Sequence, residues 1–156
     1  MFSSIQELSE KLEAAKYVTD PVTLKVIYLA AQMQKPVLAE GPPGSGKTEL
    51  AKVVALAADT SIERLQCYEG IDASAALYEW NYPRQMLAIC QAGDQTIDIY
   101  GESFLIERPM LASLRAPDST VLLIDEIDRS DQEFEAFLLE FLSDFQISIP
   151  ERGTIR

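Results

Sequence analysis

The sequence predicts an α/β fold in which helices cover both faces of a parallel β-sheet, a three-layer sandwich. Two observations support this prediction. The apolar runs 36–40 and 120–124 each have the short, continuous pattern of a strand that is covered on both faces. Segments with one apolar face at helical spacing surround these runs. A chain of 156 residues can enclose a hydrophobic core, so we expect a single domain over residues 1–156.

The composition is typical of a globular protein, with 47% apolar and 24% charged residues. No apolar run approaches the roughly 20 residues that a membrane span needs. The N-terminal segment lacks the basic-then-apolar order of a signal peptide, so we expect a cytoplasmic protein. The net charge is -12 and the basic residues are scattered, which argues against a nucleic-acid partner because such partners need a basic patch.

The chain has two cysteines, Cys67 and Cys90, and no histidine. Neither cysteine has a neighbour at the spacing of metal ligands, so no zinc site is expected. Both cysteines lie in apolar stretches, and we predict that both are buried thiols.

Helical periodicity and capping signals predict six helices. Ser4 with Glu7, and Ser130 with Glu133, fit the capping box, and Asp20 before Pro21 fits an N-cap. The predicted helices are 5–15, 20–34, 47–58, 73–91 with an interruption near Pro83, 108–114, and one after Ser130. This last helix carries an apolar and aromatic stripe that we interpret as core packing: Phe134, Phe137, Leu138, Phe141, Leu142 and Phe145.

Alternation and β-branched content predict the strands. The predicted strands are 36–40, 62–67, 120–124, 145–149 and the returning strand that begins at 154, with a small hairpin or loop at 93–102. The chain stops where that returning strand has just begun, which leaves the strand half paired. We therefore expect the sequence to be part of a longer chain.

One segment matches the phosphate-binding pattern G-x-x-x-x-G-K-[ST] without deviation: Gly41, Pro42, Pro43, Gly44, Ser45, Gly46, Lys47 and Thr48. An apolar run precedes the loop and a helical segment follows it. Glycines let the backbone wrap closely around phosphate oxygens, and main-chain amides at the start of a helix favour an anion. Lys47 would contact the β and γ phosphates of ATP, and the Thr48 hydroxyl would bind Mg²⁺.

Two carboxylates, Asp125 and Glu126, follow the strongest strand. The carboxyl ends of strands form the edge at which α/β proteins bind ligands. Asp125 would hold Mg²⁺, and Glu126 would act as the catalytic base that orients and polarises the attacking water. With the phosphate-binding loop upstream, this pair favours hydrolysis by water.

Other nucleotide-binding classes leave different signals. No Asn-Lys-x-Asp guanine reader is present, which argues against a GTPase. A small-molecule kinase has no need for the second carboxylate, because its substrate supplies the nucleophile. A module that binds nucleotide without hydrolysing it stays open as the alternative to an Mg-dependent ATPase.

Several stretches together resemble one family. They are LAEGPPGSGKT (38–48), LQCYEG (65–70), ERPML (107–111) and LIDEIDRS (123–130). The sequence resembles the MoxR group of AAA+ ATPases in these stretches, and LYEWNY (77–82) is similar to members linked to carbon monoxide dehydrogenase maturation. The resemblance covers nearly all of this chain and about half of a family member.

The resemblance implies a homo-oligomeric ring, often a hexamer, with ATP between neighbours. It also implies a partner with a von Willebrand factor A domain and a metalloenzyme client that is remodelled or loaded with its metal cofactor. Residues 92–103 would be the insert of this clade, and 145–156 the hairpin before the sensor strand. Gln66 would hold Glu126 inactive until substrate binds. Tyr17 and Val18, by their place ahead of the first core helix, are candidate adenine contacts.

The resemblance also implies parts that this sequence does not contain. The sensor asparagine, arginine finger and helical lid would lie beyond Arg156, and we assign none of these roles to Arg129, Arg152 or Arg156. The family sheet has the strand order 5-1-4-3-2, so its fourth strand would separate 36–40 from 120–124. Without that strand, we expect the chain alone to hydrolyse ATP slowly and to be unstable or to pair its strands differently.

Overall fold

A computed structural model describes residues 2–93, 95–116, 119–150 and 153–155. The helices are α1 (Ile5–Ala14), α2 (Pro21–Met33), α3 (Lys47–Ala58), α4 (Ala73–Leu77), α5 (Tyr82–Ala92), α6 (Pro109–Arg115) and α7 (Gln132–Asp144). The strands are β1 (Ser61–Gln66), β2 (Tyr78–Trp80), β3 (Leu105–Glu107), β4 (Thr120–Asp125), β5 (Ile147–Ile149) and β6 (Gly153–Ile155). Short 3₁₀ turns occupy Glu102–Phe104 and Ile127–Arg129.

The chain forms two compact units. The first combines residues 1–64 with 116–125, and the second combines 65–115 with 126–156. The first unit is centred on α1, α2 and α3. Its core is a cluster of buried apolar side chains: Phe2, Leu8, Leu12, Ile27, Val53 and Ala57.

Side-chain caps fix the first two helices where the sequence predicts them. The Ser4 hydroxyl accepts a hydrogen bond from the amide of Glu7, at 3.1 Å. The Asp20 carboxylate accepts from the amides of Val22 and Thr23, at 2.9 and 3.1 Å. Both caps satisfy amides that the first turn of a helix leaves without a partner. The predicted helix 47–58 is confirmed at both of its ends.

Strands β1 and β4 form a two-stranded parallel sheet, which confirms the predicted α/β class. The hydroxyls of Ser61 and Thr120 lie 2.6 Å apart where the two strands begin. Arg64 and Asp125 meet near the carboxyl ends of the same strands. The carboxyl ends of the two strands therefore lie at one edge of the sheet.

The predicted strand 36–40 is not formed. No ladder pairs this segment with another strand of the described chain, and the side chains of Val37 and Leu38 are 45% and 74% exposed. A strand needs a hydrogen-bonded neighbour, and the described residues supply none for this segment. Strand β4 is also less buried than the sequence predicts: each of its residues is only half-buried.

The second unit contains two antiparallel strand pairs. In the first, Tyr78 lies opposite Glu107 and Trp80 opposite Leu105; in the second, Ile147 lies opposite Ile155. The sequence predicts the β5–β6 pair, although part of its turn lies outside the described residues. It does not predict β2 and β3. The predicted break of helix 73–91 falls at β2, and Pro83 lies in the first turn of α5, where a proline is tolerated.

Two further predictions are wrong. The cap of α7 is Asp131, whose carboxylate accepts from the amide of Phe134 at 2.9 Å, while the Ser130 hydroxyl donates to the carbonyl oxygen of Ile127. Cys67 is buried as predicted, but Cys90, which lies on α5, is exposed. None of the helices in residues 2–93, 95–116 and 119–150 is long and apolar enough to cross a membrane.

Adjacent leucines of α7 test the predicted core stripe. Leu138 is 2% exposed, whereas Leu139 is 72% exposed. We expect Leu138→Ala to lower the free energy of unfolding by about 2–5 kcal/mol, or to abolish the folding transition, since it leaves a cavity. Leu139→Ala, the matched control, should change it by less than about 0.5 kcal/mol in a urea titration. Equal effects of the two substitutions would show that α7 buries a different face.

Candidate nucleotide-binding site

The glycine-rich loop turns directly into helix α3. Gly44 and Gly46 have φ angles of 80° and 84°, in the left-handed region that favours glycine. Gly46 is also the N-cap of α3, and no side chain caps that helix. A Cβ atom at Gly46 would lie 3.8 Å from the Tyr17 hydroxyl, so the backbone passes close to this tyrosine.

The first turn of α3 borders an open depression of about 300 Å³. Its lining residues are Gly44, Ser45, Gly46, Lys47, Thr48 and Glu49. The amides in the first turn of a helix have no partner within the helix, and the helix dipole adds positive potential there. With no side-chain cap, these amides can donate to a bound anion.

The Lys47 ammonium lies over the same loop. It donates hydrogen bonds to the carbonyl oxygens of Gly41 and Pro42, at 2.6 and 2.9 Å, and lies 3.4 Å from the Ser45 hydroxyl. The lysine charge is therefore held at the depression by the backbone of the loop.

Thr48 and Asp125 meet across the first unit, although 77 positions separate them in the chain. The Thr48 hydroxyl lies 3.3 Å from each carboxylate oxygen of Asp125. The Asp125 side chain is only 18% exposed. One hydroxyl and one carboxylate fit Mg²⁺, which prefers oxygen ligands and binds through one or two protein groups together with phosphates and water. The described residues contain no cluster of three or more acidic, cysteine or histidine side chains that would form an all-protein metal cage.

Glu126 belongs to the second unit. Its backbone is left-handed, with φ 55° and ψ 43°. Few non-glycine residues adopt this conformation, and those that do are often found at functional positions. The Glu126 carboxylate accepts from the Arg129 guanidinium at 2.9 Å, so an ion pair holds the predicted catalytic base.

Arg64 is the site residue that the sequence does not indicate. Its guanidinium lies 2.7 Å from the second carboxylate oxygen of Asp125. The parallel pairing of β1 with β4 brings these residues together, and the sequence contains no signal for the register of that pair.

The other three candidate residues lie in different surroundings. Tyr17 packs against the core of the first unit, Val18 is exposed, and Gln66 ends β1.

The sequence matches a known family over residues 37–154: the ATPase family associated with various cellular activities, AAA. This match spans most of the chain and includes the loop, Thr48, Asp125 and Glu126. The chain therefore belongs to the AAA ATPase family, which confirms the predicted enzyme class.

Three curated relatives are similar to parts of the chain or to nearly all of it. Proteasome-activating nucleotidase 2 of Halobacterium salinarum is 26% identical over 170 residues, covering 99% of this chain and 35% of the relative. The ATP-dependent zinc metalloprotease FtsH of Oenococcus oeni is 47% identical over 55 residues, covering 35% of this chain and 7% of the relative. An uncharacterized protein of Staphylococcus haemolyticus is 29% identical over 101 residues, covering 65% of this chain and 34% of the relative.

The chain spans about a third or less of the length of these relatives. No solved structure matches the chain significantly. The family match is to AAA proteins in general, and the narrower resemblance to the MoxR group stays a prediction.

Proposed function

We propose that residues 1–156 form one AAA+ domain that binds ATP with Mg²⁺ and hydrolyses it. The observation that carries this proposal is the meeting of Thr48 and Asp125 beside the uncapped start of α3. Three kinds of group lie near one another there: the main-chain amides of the α3 first turn, the Lys47 ammonium, and the side-chain oxygens of Thr48 and Asp125. Together they match a triphosphate with its metal ion.

The loop and Lys47 bind and orient the triphosphate. The amides of the α3 first turn donate to phosphate oxygens, and the Lys47 ammonium exchanges its carbonyl partners on the loop for the β and γ phosphates. Such fixed donors need no reorganisation as charge develops on the γ phosphate, which is how they lower the barrier.

Thr48 and Asp125 would hold Mg²⁺ through their side-chain oxygens. When bound, the ion would neutralise negative charge on the phosphates. The task of the two side chains is to keep their oxygens on one side of the phosphate site, a geometry that their 3.3 Å contacts support.

Glu126 is the proposed catalytic base. It orients a water in line with the γ phosphorus and accepts its proton while the new phosphorus–oxygen bond forms. The bond between the γ phosphorus and the bridging oxygen breaks, so ADP and inorganic phosphate leave. The Arg129 ion pair would have to open or shift for Glu126 to take this role.

The cellular role is proposed from the resemblance to the MoxR group. We infer a cytoplasmic ring, a hexamer by that resemblance, that works with a von Willebrand factor A domain protein and remodels a metalloenzyme or helps to load its metal. The relative named as a proteasome-activating nucleotidase supports the broader idea that this type of domain acts on other proteins. Sedimentation with ATP should reveal a ring, and a monomer at every concentration would contradict it.

Replacement of Glu126 by Gln tests the hydrolytic function. We expect Glu126→Gln to bind ATP as the unchanged chain does and to lose turnover by about 100-fold or more, since the base is removed while its shape is kept. Phosphate release and nucleotide binding should be measured on the same samples. Glu135→Gln, on the exposed surface of α7, is the matched control and should leave both unchanged.

Two results would count against this function. Equal turnover in Glu126→Gln and the unchanged chain would remove Glu126 from the mechanism. ATP binding without any phosphate release by the unchanged chain would instead favour the nucleotide-binding module that does not hydrolyse.

A further inference from the structure

Three side chains from three elements meet at the Asp125 carboxylate. The Thr48 hydroxyl of α3 lies 3.3 Å from both oxygens, and the Arg64 guanidinium of β1 lies 2.7 Å from one of them, Oδ2. Asp125 is largely buried, whereas Arg64 is 53% exposed. The arginine therefore reaches from the edge of the β1–β4 sheet onto a carboxylate that has little contact with water.

A partner is needed here because the carboxylate of aspartate rotates easily. The terminal torsion of Asp is broad and roughly two-fold, so the side chain alone does not fix where its oxygens point. A buried carboxylate is also costly unless it is paired and hydrogen-bonded. The guanidinium provides both a charge and a directional donor, and bonds of this kind are stronger than those between neutral groups.

The nearby lysine does not provide this partner. The Lys47 ammonium contacts carbonyl oxygens of the loop, Gly41 and Pro42. Arg64 is the cationic group that the structure pairs with Asp125 in the described part of the first unit.

We propose that Arg64 is a positioning residue for the magnesium site, acting through Asp125. Its guanidinium holds Oδ2 and so fixes the rotation of the carboxylate, which keeps both oxygens beside the Thr48 hydroxyl at the start of α3. This inference rests on the proposed function, since it assigns a role within the same site. Partners that orient metal ligands from outside the coordination shell typically contribute about 10- to 100-fold to metal affinity.

A guanidinium next to a metal ligand has two opposing effects. It orients the carboxylate, which favours Mg²⁺, and it competes with the ion for negative charge, which disfavours Mg²⁺. The ion pair is made to Oδ2, and a carboxylate held in one orientation is the better ligand, so we expect orientation to dominate. If replacing Arg64 weakens nucleotide binding in magnesium, orientation dominates; if it strengthens that binding, competition dominates.

The test measures binding of a fluorescent ATP analogue to the full chain, with magnesium chloride and separately with EDTA. We expect Arg64→Met to weaken binding about tenfold in magnesium and to leave binding in EDTA unchanged. Arg64→Lys, which keeps the charge but not the planar fork, should lie between the two. Arg108→Met, which removes an exposed ion pair with Glu79 in the second unit, is the control and should change neither value.

A double-mutant comparison separates positioning from a general structural effect. In a chain that already carries Asp125→Ala, Arg64→Met should cause no further loss in magnesium, because the residue through which Arg64 acts is gone. An equal loss in magnesium and in EDTA, or an additive loss in the double mutant, would overturn the inference. If Arg64→Met does not fold by circular dichroism, then Arg64→Lys and its double mutant with Asp125→Ala decide the question.

Three other results of the binding experiment are possible, and each has a different meaning. If magnesium strengthens binding to the unchanged chain and to Arg64→Met equally, Arg64 has no positioning role and the proposed function stands. Tighter binding of Arg64→Met in magnesium would show that competition dominates and would also overturn the inference. If magnesium has no effect on the unchanged chain, the proposed metal site itself fails.

Discussion

The uncapped start of helix α3 is the constraint on which the rest of the site depends. A helix of this length leaves the amides of its first turn without partners, and the other two long N-terminal helices satisfy one or two of theirs with Ser4 and Asp20. Helix α3 has a glycine in the same position and no side-chain acceptor. The sequence thus leaves donors where a bound anion can use them, and Lys47 adds a full positive charge at the same place.

The second constraint is the pairing of β1 with β4. This pairing brings Arg64, from a distant part of the chain, to the carboxylate that Thr48 of α3 also contacts. A metal site made of one hydroxyl and one carboxylate has few ligands of its own, so the orientation of each ligand matters more than in a site with a complete protein cage. The fold therefore contributes to the chemistry through strand register as well as through residue identity.

Much of the site could be predicted from sequence because its signals are local. The loop pattern, the helix at 47–58 and the paired carboxylates each depend on residues within one short segment. The failures involve partners distant in the chain. The run 36–40 has the composition of a buried strand but pairs with no strand in the described part of the chain. Cys90 lies in an apolar stretch but is exposed, and Arg64 reaches Asp125 through the β1–β4 register. Local pattern cannot specify these non-local outcomes.

Titration of the full chain with ATP in the presence of magnesium shows directly whether the α3 start and Lys47 together bind a triphosphate. Calorimetry should show saturable binding to the unchanged chain, strong weakening by Lys47→Ala, and little change by Lys52→Ala, which removes a lysine that pairs with Glu49 on the same helix. ATP should also bind more tightly than adenosine. A folded chain that takes up no ATP, or one that binds it equally well without Lys47, would contradict the account.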